Sequence, residues 1–300
     1  MAPLWTMRDE DGAPLLDDPM RGKRIPAGTL IAAKYRVGEP IGRGAYSTIY
    51  AASQEPMGRA VALKVAGGST DDPVLRARFA REARFLAAID HPNVVRVYEL
   101  GWLESGPAAI VMERLNGDTL QQRLEQGGAM DASTSIAILR PVLDALTEVH
   151  GRAFVHRDLK PANIMLTGPR HAPVPKVLDF GIGKDLADGE PLTATGKFVG
   201  TPAYLAPEQM KPHAVVDARA DLYTIGVLLF QMLTGRLPFV GPVARVMLAV
   251  ISEPAPKVNK LRPDVSPALD ALVAKALSKD PAQRFQTAEE MSTAMLDALG

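Results

Sequence analysis

The feature that most limits what this chain can become is a change of hydrophobic period near Asn116-Gly117. Before it, short β-branched and aromatic runs, Tyr35 to Ile41, Thr48 to Ala52 and Ala60 to Val65, are separated by glycine and polar turns, the pattern of an antiparallel meander. Asp71-Asp72-Pro73 then supplies a helix start, and Leu75, Phe79, Ala83 and Leu86 follow as a helical stripe. Two further strand-like runs, Val94 to Leu100 and Ala108 to Met112, close a small β-rich lobe with a single helix. After the change, apolar residues recur at helical spacing near 133–150, 217–234, 242–252, 265–278 and 287–299. An α+β chain in two lobes is expected, 34–115 and 116–300. Residues 1–33, with their prolines and mixed charge, read as an N-terminal extension that is either flexible and loosely held or wrapped around the domain.

Composition removes several functions. The 34 basic and 34 acidic side chains cancel, so no global field gathers nucleic acid or an anionic membrane, and any anion site must be local. With no cysteine there is no disulfide, thiolate metal site or cysteine nucleophile. The five histidines form no H-E-x-x-H pair. The longest apolar run, Leu222 to Leu233, is interrupted by Thr224, Gly226 and Gln231, short of a membrane span, and the start of the chain lacks the pattern of a secretory signal. A cytoplasmic protein is expected.

Three stretches carry chemistry. In Ile41-Gly42-Arg43-Gly44-Ala45-Tyr46-Ser47-Thr48-Ile49-Tyr50, two glycines allow a backbone turn to approach a phosphate chain. The β-branched residues that follow favour strand-turn-strand over the helix a dinucleotide fingerprint requires. In Val61-Ala62-Leu63-Lys64-Val65, alternation places Lys64 and Ala62 on one face, and Glu82, beside the stripe of the next helix, is a candidate partner for the ammonium. The third stretch is His156-Arg157-Asp158-Leu159-Lys160-Pro161-Ala162-Asn163, followed by Asp179-Phe180-Gly181. Two carboxylates, a carboxamide and a lysine supply oxygen ligands for magnesium, a proton acceptor and a positive charge for a phosphoryl group in transfer.

With Ala206-Pro207-Glu208 added, this set resembles the bacterial type of eukaryotic-like serine/threonine protein kinase, over about Tyr35 to Leu299. The resemblance implies the two-lobed kinase fold: a small five-stranded antiparallel β lobe with one main helix, and a larger, mostly α-helical lobe. It implies ATP as phosphoryl donor, Mg2+ or in its place Mn2+, and protein substrates with Ser or Thr acceptors. It makes Asp158 the base and Lys160 its cationic companion, Asn163 and Asp179 the metal ligands, and Lys64, paired to Glu82, the grip on the α and β phosphates. The ATP pocket becomes Ile41, Gly42, Gly44, Ser47, Ile49, Ala62 and Lys64, with Met112 behind the adenine and Glu113 to Leu115 as hinge. The Asp158–Asn163 text and Thr201 match the serine/threonine branch. Arg157 would meet a phosphate on the activation segment, where Thr193 and Thr195 match autophosphorylation sites. Asp221 would brace the catalytic loop, and Glu208 and Arg284 would staple the A-P-E segment to a later helix. Relatives also pair through their small lobes during activation, which makes a homodimer an expected partner state.

The chain departs from the pattern in places. Ser47 stands for the third glycine, Pro141 lies inside a predicted helix, where a kink is expected, and Ala153 replaces a glycine at that helix's exit. A kinase-like scaffold without catalysis would have lost Lys64, Asp158 or Asp179, and a small-molecule phosphotransferase would lack the A-P-E segment.

Overall fold

The structure, a computed structural model, describes residues 3–9, 11, 24–44, 47–66, 83–104, 106–180 and 202–299. Two compact units emerge. Among the described residues, the first takes in those up to Asp90 together with Val95–Leu115, and the second takes His91–Val94 and those from Asn116 onward.

The first unit is built on a sheet. Five strands, β4 (Tyr35–Arg43), β5 (Ser47–Gln54), β6 (Arg59–Ala66), β7 (Val97–Leu103) and β8 (Ala108–Glu113), pair antiparallel in the order β7-β8-β6-β5-β4. Three two-residue strands add to the five foreseen: β1 (Leu4–Trp5), β2 (Met7–Arg8) and β3 (Leu30–Ile31). Of these, β1 runs parallel to β7, Leu4 opposite Trp102, while β2 pairs with β3 and β3 with β4. Only Thr6 separates β1 from β2, yet they stand at opposite ends of the strand order. Residues 4–8 are therefore one stave that bonds both edges and closes the sheet on itself. Closure removes the unpaired N–H and C=O groups an open edge would leave.

Side-chain alternation explains why the stave docks. Trp5 and Met7 point inward, 4% and 3% exposed, into a core with Ile31, Tyr35, Val37, Tyr50, Val61, Leu63, Val65, Leu103 and Val111. The Trp5 indole lies on the backbone of Gly101, where any Cβ would overlap the ring. Three backbone bonds fasten the stave: Trp102 N–H to the Pro3 carbonyl, Glu104 N–H to that of Trp5, and Ala32 N–H to that of Thr6. Residues 4–5, 7–8 and 30–31 thus belong to the sheet as strands. Residues 83–87 form helix α1, with Ala83 and Leu86 buried.

The second unit is helical apart from a three-stranded sheet, β11-β10-β9, of β9 (Gly117–Thr119), β10 (Ile164–Thr167) and β11 (Val174–Val177). Gly117, at φ +151°, sits where a side chain would overlap the Leu166 carbonyl, so the ladder can close only on glycine. Helix α2 (Leu120–Gly127) starts on a Thr119/Gln122 capping box. Helix α3 (Ala132–Gly151) starts on Asp131, whose carboxyl is held down at about 2 by hydrogen bonds from the Ser133 hydroxyl, the Thr134 amide and the Thr134 hydroxyl. It runs through Pro141 as one helix, and beyond it Ala153 takes the left-handed conformation at φ +58°.

Helix α4 (Arg219–Thr234) is buried at every residue but Arg219, Gln231 and Thr234, as an apolar pattern on all sides requires. Helices α5 (Val243–Ser252), α6 (Pro267–Ala276) and α7 (Ala288–Asp297) complete the unit. The strand expected from Val94 begins instead at Val97. Residues 91–94 join the second unit, where Val94 bridges Val177, the Asn93 carboxamide donates to the Pro175 carbonyl at 2.8 Å, and the Asn93 carbonyl accepts from Val177 N–H at 2.8 Å.

Candidate active site

In the first unit, cross-strand pairing collects the predicted nucleotide residues. Ile49 lies opposite Lys64, Lys64 opposite Ile110, and Ala62 opposite both Ala51 and Met112. Directly opposed residues project to the same side of a sheet, so Ile49, Ala62, Lys64 and Met112 share the face away from the core, which takes Val61, Leu63 and Val65. Gly42 pairs with Ile49, and Gly44 N–H donates to the Ser47 carbonyl at 2.8 Å, so the glycine turn joins two strands and opens no helix. Ile41 is exposed, and Leu115 lies just past β8. Glu113 exchanges bonds with Arg96: its N–H donates to the Arg96 carbonyl, and its carboxylate accepts from the Arg96 N–H at 2.8 Å. Glu82, Gly181, Thr193, Thr195 and Thr201 lie outside the described residues.

The second unit holds the acid-bearing loop. Lys160 Nζ sits 3.1 Å from Asp158 Oδ2, and Asn163 Nδ2 donates to the Asp158 carbonyl at 2.8 Å and to Oδ2 at 3.3 Å. Both side chains are fixed by a short turn, Pro161–Asn163, closed by Asn163 N–H on the Lys160 carbonyl. Leu178 N–H donates to the Asn163 carbonyl at 2.8 Å, which ties the approach to Asp179 to the same turn. Asp179 itself takes φ +45°, a conformation that costs energy for a side chain with a Cβ and is found mainly where a site needs it.

His156 organises this loop from inside. It is fully buried and packs at a tilt against Phe180 with ring centroids 4.6 Å apart. Its Nδ1 accepts from Asp158 N–H at 3.2 Å, which leaves Nε2 to donate to the Leu178 carbonyl at 3.0 Å. Those partners require the neutral Nε2–H form, and burial lowers the pKa accordingly, against the pull of Asp221, Asp158 and Asp179. Asp221, 1% exposed on α4, accepts from His156 N–H and His150 Nε2 at 2.8 Å each, and from Arg157 N–H at 3.0 Å. Arg157 is left-handed at φ +62°, with an exposed side chain.

Below the loop, Arg284 and Glu208 form a buried two-pronged pair at 2.7 and 2.8 Å. The guanidinium also donates to the carbonyls of Ser278, Arg219 and Lys279, which employs all five of its N–H groups. Two participants escaped the sequence reading: His150, on Asp221, and Gln209, whose side chain spans Ala206 N–H and the Arg157 carbonyl at 3.0 and 2.9 Å. The bonds of His150 to Asp221 and of Gln209 to Arg157 span long stretches of chain, which no local motif signals.

The donor set fits a hard divalent cation. Asn163 commits its amide nitrogen to Asp158 and keeps its carbonyl oxygen, and Asp179 adds carboxylate oxygens, the ligand type magnesium selects. Among the described residues no cluster of three or more His, Cys, Asp or Glu is placed to hold a metal ion. No helix among them is long and apolar enough to cross a membrane.

The chain is 42% identical over 269 residues to a probable serine/threonine-protein kinase, SCO3848 of Streptomyces coelicolor, covering 87% of this chain and 39% of that protein. It is 41% identical to the serine/threonine-protein kinase pkn3 of Myxococcus xanthus, over 87% of this chain and 49% of that one. The chain thus spans less than half the length of these curated relatives. The crystal structure of the Mycobacterium tuberculosis PknI kinase domain superposes with a TM-score of 0.72 at 28% identity, covering 92% of this chain and all of that one. Residues 35–295 match the protein kinase domain model, and the chain belongs to that family.

Proposed function

We propose that this chain transfers the γ-phosphoryl group of ATP to serine and threonine hydroxyls of protein substrates. The observation that carries the reading is the Asp158–Lys160–Asn163 constellation, an acceptor carboxylate held by a carboxamide and flanked by an ammonium on one short turn. In the transfer, the acceptor oxygen bonds to the γ-phosphorus and the bond from that phosphorus to the β–γ bridging oxygen breaks, releasing ADP. Asp158 Oδ2 orients the hydroxyl and takes its proton, and Lys160 offsets the negative charge of the group in motion. Asn163 and Asp179 would hold Mg2+, which would supply neutralisation of the phosphates' negative charge. Lys64, with Glu82, steadies the α and β phosphates, and the face bearing Ile49, Ala62 and Met112 receives the adenine ring.

Transfer of labelled phosphate from ATP to a generic protein substrate tests the reading. Asp158→Asn keeps the shape and removes the proton acceptor, so turnover falls roughly 10²–10⁴-fold. Undiminished transfer by Asp158→Asn would refute the assignment, and transfer to small alcohols alone would point to a different acceptor class. We further propose autophosphorylation at Thr193 and Thr195, which mass spectrometry of the protein after incubation with ATP reads directly. Active protein unmodified at both threonines contradicts it.

A further inference from the structure

We propose that Gln209 is a positioning residue for Asp158, acting through the peptide that joins Arg157 to it. Resting on the phosphotransfer reading above for the role of Asp158, the inference stands on geometry of its own. Arg157 adopts a left-handed conformation that a residue with a Cβ leaves readily unless it is held. Its N–H is held by Asp221 at 3.0 Å. Its carbonyl is held by Gln209 Nε2 at 2.9 Å. The N–H at the other end of the same peptide, that of Asp158, bonds to the His156 carbonyl at 2.8 Å and to His156 Nδ1 at 3.2 Å. With both ends tied, the peptide plane cannot rotate, and the direction in which the Asp158 side chain leaves the backbone is set. Loss of the Gln209 bond removes one restraint on this peptide and lets it shift more readily toward relieving Arg157, carrying Asp158 with it.

The orientation of the Gln209 amide follows from its other contact. Oε1 accepts from Ala206 N–H at 3.0 Å, and a carbonyl oxygen only accepts, so the NH2 group is the one that faces Arg157. Gln209 therefore has two separable duties: it caps the turn Pro207–Met210 through its oxygen, and it clamps Arg157 through its nitrogen. It also joins the segment anchored by the Glu208–Arg284 pair to the acid-bearing loop, so a shift in one is felt by the other.

Two variants separate the duties. Gln209→Glu retains an oxygen for the Ala206 N–H and loses the donor. Gln209→Lys retains a donor and loses the cap. Turnover is expected to follow the donor: about tenfold lower in Gln209→Glu with KM for ATP unchanged, and within about threefold of the parent in Gln209→Lys. Thermal stability is expected to follow the cap, lower in Gln209→Lys. Hydrogen exchange supplies a readout that needs no catalysis: the Asp158 amide exchanges faster in Gln209→Glu than in the parent or in Gln209→Lys. Turnover and Asp158 exchange in Gln209→Glu equal to the parent would overturn the inference and leave Gln209 as a cap alone. Loss of turnover in Gln209→Lys equal to that in Gln209→Glu would overturn it too. Accelerated exchange in a protein that transfers no phosphate would uphold the clamp and refute the phosphotransfer reading instead.

Discussion

His156 accepts one hydrogen bond, donates another and packs against Phe180, and burial keeps it neutral. Its folded pKa lies below the ordinary value of 6.5, so the unfolded chain binds its proton more readily than the folded one. The stability it contributes is complete above about pH 6.5 and erodes as pH falls below that. Urea unfolding followed from neutral to mildly acid pH should lose stability in this window, where carboxylates still keep their charge. Imidazole chemical shifts should report the neutral Nε2–H form persisting below the ordinary value, and an ordinary titration would contradict the assignment. The Arg284–Glu208 pair makes a sharper test. Glu208→Gln leaves a buried guanidinium short of its counter-charge, at a cost of about 3–5 kcal/mol in thermal or urea unfolding. Asp158, Asn163 and Lys160 were legible because they lie within one short string whose side chains act together. His150 and Gln209 were not, because they bond to a distant carboxylate and to backbone groups, which any residue supplies.

Strands of two residues have no period to detect, so β1, β2 and β3 left no trace in the sequence, whereas β4 to β8 announced themselves as strand-like apolar runs between turns. What binds the closing stave is one side chain and the absence of another, Trp5 lying on Gly101. Trp5→Ala should cost about 3–5 kcal/mol in unfolding experiments, as large aromatic deletions in a core do. Gly101→Ala should destabilise the parent, yet cost far less when Trp5 is already alanine, since the ring it would strike is gone. Equal costs in both backgrounds would show that Trp5 does not occupy that seat. Amides of Trp102, Glu104 and Ala32 should lose protection together when Trp5 is removed, because one stave carries all three acceptors.

For the whole molecule, the family match begins at residue 35, and the stave lies before it. A chain cut to start there should melt lower than the parent and scatter light on warming, because β4 and β7 become bare edges of a sheet that is closed in the parent. The division into two units was legible from the shift of hydrophobic period near Asn116. The allegiance of residues 91–94 to the second unit was not, because it rests on the Asn93 carboxamide and a single bridge to Val177. The stave also dictates an order of events during synthesis. Leu4 and Trp5 are made well before Trp102 and Leu103, with which they pair, so this segment must wait for almost the whole first unit to emerge. Until then Trp5 and Met7 stay uncovered on the nascent chain, the interval in which a chaperone has something to hold.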